Sequence, residues 1–145
     1  MMIPRCPVHT HQIQNIKDAV LCESVESGHS AHDKHAIIQQ ALGITKSSVR
    51  MDSCCKYMAI ARGTANIYLR LPKTLTYEEC VWDHAAGYVI AREAGGVVRD
   101  VSGNEIDFST GRTLKKNKGF IVCAESVYPE VETAVTNALS STASI

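Results

Sequence analysis

The chain has 145 residues, 45% of them hydrophobic, enough for one globular domain to bury a core without disulfide or metal staples. Lys plus Arg and Asp plus Glu stand at 15 each, so no overall field draws the chain to nucleic acid or to an anionic membrane, and any anion site must be local. No apolar run reaches membrane-spanning length, and residues 1–15 have neither a signal-peptide apolar stretch nor transit-peptide composition, so an intracellular, cytoplasmic protein is expected. Cys6, Cys22, Cys54, Cys55, Cys80 and Cys123 sit mostly within apolar runs, as reduced, buried thiols do.

In chain order, residues 1–16, with Pro4, Pro7, His9 and His11, read as an irregular lead-in, and residues 17–140 as one α/β unit. Ala19 to Ser24 suits a strand. Ser30 to Asp33 reads as a capping box for a helix with Ile37, Ile38, Ala41 and Leu42 on its apolar face, stopped by Gly43. Val49 and Met51 mark a second strand that delivers Asp52 and Ser53 at its end, and Cys54 to Arg62 is helical, with Gly63 as its stop. Between Asn66 and Pro72 the alternation puts Ile67, Leu69 and Leu71 on one face and Tyr68 and Arg70 on the other. Asp83 to Ala94 is a helix that opens on a carboxylate and ends at Gly95-Gly96. Val97 to Val101 and Ile106 to Phe108 flank a Ser102-Gly103-Asn104 turn, and Gly119 to Ala124 is a buried strand. Tyr128 to Leu139 is a closing helix, with residues 141–145 a tail. The alternation predicts a layered helix-sheet-helix fold around a sheet of about five strands.

Chemistry concentrates at two places. In Trp82-Asp83-His84-Ala85-Ala86-Gly87, Asp83 either caps a helix or serves as one carboxylate ligand of a hard cation such as Mg²⁺, and the small residues behind it would let a metal or phosphate approach. No second run of acidic residues completes a two-metal site. Ser53, Lys56 and Arg70, from a strand end, a first helical turn and the outward face of the next strand, supply a hydroxyl, an ammonium and a guanidinium that suit a phosphate if they converge. His29 stands in a polar, glycine-containing connection of the kind that contacts ligands. His32 and His35, even with Cys54-Cys55, lack the spacings that identify structural zinc sites.

Taken together, Glu23 to Ser30, Asp52-Ser53-Cys54-Cys55-Lys56-Tyr57, Tyr68-Leu69-Arg70-Leu71-Pro72, Trp82 to Gly87, Glu93-Ala94-Gly95-Gly96 and Gly111-Arg112-Thr113-Leu114 resemble the 3'(2'),5'-bisphosphate nucleotidases of the inositol monophosphatase superfamily. Trp-Asp-x-Ala-Ala-Gly and Glu-Ala-Gly-Gly are superfamily-wide, whereas the Gly-His-Ser, Ser-x-x-Lys-Tyr and Tyr-Leu-Arg-Leu-Pro segments resemble the nucleotidase branch. Cys54 stands where many members carry Gln. The resemblance implies the C-terminal lobe of that fold, with Asp83 as a Mg²⁺ ligand and His29, Ser53, Lys56 and Arg70 contacting adenosine 3',5'-bisphosphate. It implies Mg²⁺-dependent hydrolysis of the 3'-phosphate to give AMP and phosphate.

The family's Asp-Pro-x-Asp-Gly-Thr motif and upstream glutamate are not found in this sequence. The expectation is therefore a truncated, substrate-binding half with no water-positioning catalytic residue of its own, to be completed by an N-terminal lobe. A non-catalytic nucleotide-binding lobe and an inositol phosphate phosphatase are the alternatives.

Overall fold

The computed structural model describes residues 8–25, 31–72, 74 and 76–141. Its elements are β1 (Leu21–Glu23), α1 (His32–Leu42), β2 (Val49–Arg50), α2 (Cys55–Ala61), β3 (Ile67–Arg70), α3 (Val81–Glu93), β4 (Gly96–Arg99), β5 (Phe120–Ala124) and α4 (Tyr128–Ser140). The strands form one five-stranded sheet in the order β2-β1-β3-β5-β4. β1 runs parallel to both β2 and β3, and β5 is antiparallel to β3 and β4. The expected helix-sheet-helix α/β architecture is therefore present.

Each face of the sheet carries its own core, because side chains alternate along a strand. Leu21, Ile67, Leu69, Ile121 and Cys123 pack with Ile38, Leu42, Val131 and Val135 beneath α1 and α4. Cys22, Tyr68, Phe120 and Val122 pack with Tyr57, Ile60 and Ala91 beneath α2 and α3. Leu69 and Leu71 thus occupy one face and Tyr68 the other, as the alternation predicts. β5 is buried on both faces, which accounts for its unbroken apolar run. Burial pushes the Cys22 thiol up to about 11 and the Cys123 thiol up to about 12, so both behave as apolar filler.

Four details depart from expectation. The buried face of α1 is His35, Ile38 and Leu42, while Ile37 is 54% exposed and Ala41 is exposed. The i, i+3, i+7 spacing of the buried set is the helical repeat, and the adjacent apolar pairs each lose one member to solvent. The cap of α1 is Ala31, without a side-chain bond, and Ser30 lies outside the described residues. Its end follows prediction: Gly43 adopts a left-handed φ of 67°, its N–H reaches the Gln40 carbonyl, and the Ile44 N–H reaches the Gln39 carbonyl at 2.9 Å.

α3 begins at Val81 with Cys80 as its cap, two residues earlier than the carboxylate start, so Asp83 lies inside the first turn. The start is fixed by pairing with the 112–114 segment: Val81 N–H donates to the Arg112 carbonyl at 3.0 Å, and Leu114 N–H to the Glu79 carbonyl at 2.9 Å.

Ile106 to Phe108 does not form a strand. The buried Asp100 carboxylate accepts from the N–H groups of Ser102 and Asn104 and from the Asn117 amide, each at 2.9 Å. The Asn117 side-chain oxygen then accepts from Asp107 N–H at 2.8 Å. Side chains satisfy the backbone here, and a ladder partner is not needed.

The lead-in, where described, is held against the lobe. Thr10 is buried and its N–H donates to the Ala94 carbonyl at 2.9 Å, while Gln12 Oε1 accepts from Ser126 N–H at 3.0 Å.

Candidate functional site

Ser53, Lys56, Arg70 and Asp83 all line one cleft of ≈ 390 Å³ above the α2/α3 layer. It opens where β2 ends, α2 and α3 begin, and β3 presents its outward side chain. His29 lies outside the described residues.

Ser53 sits in the turn between β2 and α2 with φ 61°, the left-handed region, and is the only non-glycine residue so placed among the described residues. Such a conformation costs about 1–2 kcal/mol for an L-residue and persists where the surroundings fix it, commonly at functional turns. The Ser53 carbonyl accepts from Lys56 Nζ at 3.1 Å. Lys56 is 5% exposed, lies 5.3 Å from the Tyr68 ring centre, and forms no ion pair among the described residues. Burial lowers its pKa from the ordinary lysine value. A buried ammonium without a carboxylate partner is a place where an anion gains a great deal.

Arg70 is aimed by a relay that sequence reasoning missed. Its Nε donates to Glu79 Oε1 at 2.8 Å and its Nη2 to Oε2 at 3.4 Å, a two-point clamp that fixes the plane of the guanidinium. Glu79 Oε2 also meets His84 Nε2 at 3.1 Å, and His84 Nδ1 meets the Tyr57 hydroxyl at 2.8 Å. The His84 ring stacks on Phe120 with centroids 4.2 Å apart. Burial alone would raise the Glu79 pKa, but the bonds from His84 and Arg70 overcome it and hold the carboxyl below its usual range. The 112–114 segment that pairs with Glu79 and Val81 places this carboxylate. His84 was visible inside the Trp82 motif, but nothing in one sequence joins it to Glu79, Tyr57 and Arg70.

Asp83 projects from the first turn of α3. Its carboxylate is exposed and has no hydrogen-bonding or ionic partner among the described residues. Asp52 lines the same cleft and accepts from Val25 N–H at 3.2 Å. Of the small residues behind Asp83, Gly87 is explained by packing. Gly87 lies against the Tyr57 ring, where a Cβ would stand 2.5 Å from Cγ, so the missing side chain serves the packing of α3 on α2. Tyr77 and Trp82, 54% and 58% exposed, present aromatic surface at the cleft rim, and Arg112 lies 5.2 Å from the Trp82 ring centre.

His32 and His35 converge on Glu23 and not on the Cys54-Cys55 pair. Cys22, Cys54, Cys55, Cys80 and Cys123 are free thiols. No helix among the described residues is long and apolar enough to cross a membrane.

The sequence model of the inositol monophosphatase family matches residues 3–141. The 3'(2'),5'-bisphosphate nucleotidase of Emericella nidulans is 52% identical over 127 residues, covering 88% of this chain and 36% of the relative. That of Schizosaccharomyces pombe is 48% identical over 124 residues, covering 86% and 35%. Among solved structures, an IMPase of Thermotoga maritima superposes with a TM-score of 0.69 at 19% identity, covering 92% of this chain and 46% of that one. The chain spans about a third of the length of the curated relatives it matches.

Proposed function

Since the chain belongs to the inositol monophosphatase family, we propose that it forms the substrate-binding wall of a Mg²⁺-dependent phosphatase that removes the 3'-phosphate of adenosine 3',5'-bisphosphate. The observation that carries this reading is the convergence of Ser53, Lys56, Arg70 and Asp83 on one cleft. In it, buried Lys56 and clamped Arg70 hold phosphate oxygens, Arg70 by its planar fork and Lys56 as a point charge. The Ser53 hydroxyl adds a hydrogen bond.

The donor set suits Mg²⁺, which takes one or two carboxylates and completes its shell with water and phosphate oxygens: Asp83 is an exposed carboxylate with no other partner among the described residues, and Asp52 lines the same cleft. When bound, the cation offsets charge on the transferring phosphoryl group and its leaving oxygen. The residues of this chain orient the phosphate so that water attacks phosphorus in line as the bond to the 3'-oxygen breaks. An N-terminal lobe completes the metal shell in the intact protein.

Recognition of adenine over inositol rests on Tyr77 and Trp82 at the rim, since exposed aromatic faces stack on a nucleobase and gain little from a cyclohexane polyol. Calorimetric titration with adenosine 3',5'-bisphosphate and with inositol monophosphate tests the reading. The nucleotide is expected to bind more tightly. Lys56→Ala is expected to weaken it about 10- to 100-fold through loss of a charge-assisted bond of about 1.5–3 kcal/mol. Equal affinity for the two ligands, or an unaffected Lys56→Ala variant, would refute it.

A further inference from the structure

On the opposite face of the sheet from Lys56, the carboxylate of Glu23 lies under the first turns of α1. Its Oε2 is 3.1 Å from His32 Nδ1 and 3.1 Å from His35 Nδ1, and the three ligand atoms all fall within 4.8 Å of one another. Adjacent donors of a tetrahedral zinc ion, bound at about 2.0–2.1 Å, are separated by about 3.3–3.4 Å. The two measured separations are within a few tenths of an ångström of that spacing, and the histidine pair, within 4.8 Å, closes by at most about 1.5 Å to admit an ion.

The other carboxylate oxygen, Oε1, is held by Arg50 Nε at 2.9 Å. This leaves Oε2 as a single-point ligand whose orientation is fixed from behind, the arrangement in which an outer partner aims a metal-binding carboxylate. Glu23 and His35 side chains are 6% and 1% exposed, whereas His32 is 28% exposed and opens a route for the ion and for a water as fourth ligand. The i, i+3 spacing of the histidines sets both rings on one side of α1. We infer that Glu23, His32 and His35 form a site for a late first-row divalent cation of the zinc type, distinct from the Asp83 cleft.

Two imidazoles and one carboxylate are a borderline-soft donor set that suits zinc or cobalt better than magnesium, so this site and the Asp83 carboxylate select different ions. Without an ion, the two Nδ1–H groups donate to Oε2. With one, both rings take the Nε2–H tautomer and no net proton is released. The ion links the end of β1 to the start of α1, the two points in sequence between which His29 lies.

The test uses the purified, metal-stripped chain titrated with Zn²⁺ by calorimetry and with Co²⁺ by visible absorption. Expected are one equivalent bound at micromolar affinity or better, the intense ligand-field bands of four-coordinate cobalt, and a loss of about 100-fold in affinity in His32→Ala. His32 is partly exposed, so this variant is expected to keep the wild-type circular dichroism. His35→Gln supplies a second, independent loss. A Cys54→Ser/Cys55→Ser variant and an Asp83→Asn variant are expected to bind zinc as the parent does. Absence of binding at micromolar zinc, binding indifferent to His32→Ala, or binding abolished by the cysteine or Asp83 substitutions would overturn the assignment. Failure of nucleotide binding in the cleft leaves these readouts untouched.

Discussion

Replacing Gly87 by alanine sets helix propensity against packing, with opposite signs. Alanine in a helix interior is favoured over glycine by about 0.8–1 kcal/mol, so the sequence alone predicts stabilisation. In the fold, the new Cβ would stand 2.5 Å from Tyr57 Cγ and 3.0 Å from its Cβ, against a comfortable carbon separation of about 3.5–4.0 Å. The clash is at the root of the ring. Tyr57 is 1% exposed, packs edge-on against Tyr68 with centroids 5.2 Å apart, and is bonded through its hydroxyl to His84, so it cannot swing aside. Overpacking costs about 1–3 kcal/mol, and contacts this short against a ring that cannot move fall in the upper part of that range, about 2–3 kcal/mol. The net expectation for Gly87→Ala is a loss of about 1–2 kcal/mol, read as a fall of about 0.5–1 M in urea midpoint at an m-value near 2 kcal/mol/M. Because Tyr57 braces His84 and thereby Glu79 and Arg70, nucleotide affinity in the cleft should fall as well. A midpoint that stays level or rises refutes the packing argument.

Ile38→Ala should cost about 2–5 kcal/mol in denaturant unfolding, since Ile38 is wholly buried on the inner face of α1, whereas Ile37→Ala on the exposed side should stay within about 0.5 kcal/mol. Asp100→Ala strips the acceptor from Ser102 N–H, Asn104 N–H and the Asn117 amide. It should lower stability by about 2–4 kcal/mol, and hydrogen exchange should rise first across residues 100–108. Glu79 is held below the ordinary carboxylate range in the folded protein, so the unfolded chain takes up its proton more readily. Its contribution is therefore complete above the usual carboxylate pKa and fades as pH falls through the depressed folded value. Urea midpoints measured from about pH 6 down to about pH 3 should decline less steeply in Glu79→Gln than in the parent.

The sheet and its helices were legible because period and punctuation are local. Alternation in Ile67 to Leu71, the continuous run of Phe120 to Ala124 and glycine after Leu42 each state their element without reference to any other segment. The hairpin expected around Ser102-Gly103-Asn104 failed in part for the converse reason: Asp100 binds the turn N–H groups locally, but the Asp107 N–H is taken up by Asn117, ten positions further on and itself bonded to Asp100. Likewise, the early start of α3 is set by the 112–114 segment, thirty-odd positions away.

For the site, residue type in Ser53, Lys56, Arg70 and Asp83 was enough to nominate chemistry, because a hydroxyl, two cations and a carboxylate have few uses at strand ends and first helical turns. Their convergence on one cleft, the Glu79–His84–Tyr57 relay that aims Arg70, and the meeting of Glu23 with His32 and His35 belong to the tertiary structure alone. Sequence specifies which groups exist and which face of an element each occupies. Which faces meet, and at what distance, is decided only when the sheet order β2-β1-β3-β5-β4 and the packing of α2 on α3 bring remote segments within hydrogen-bond reach.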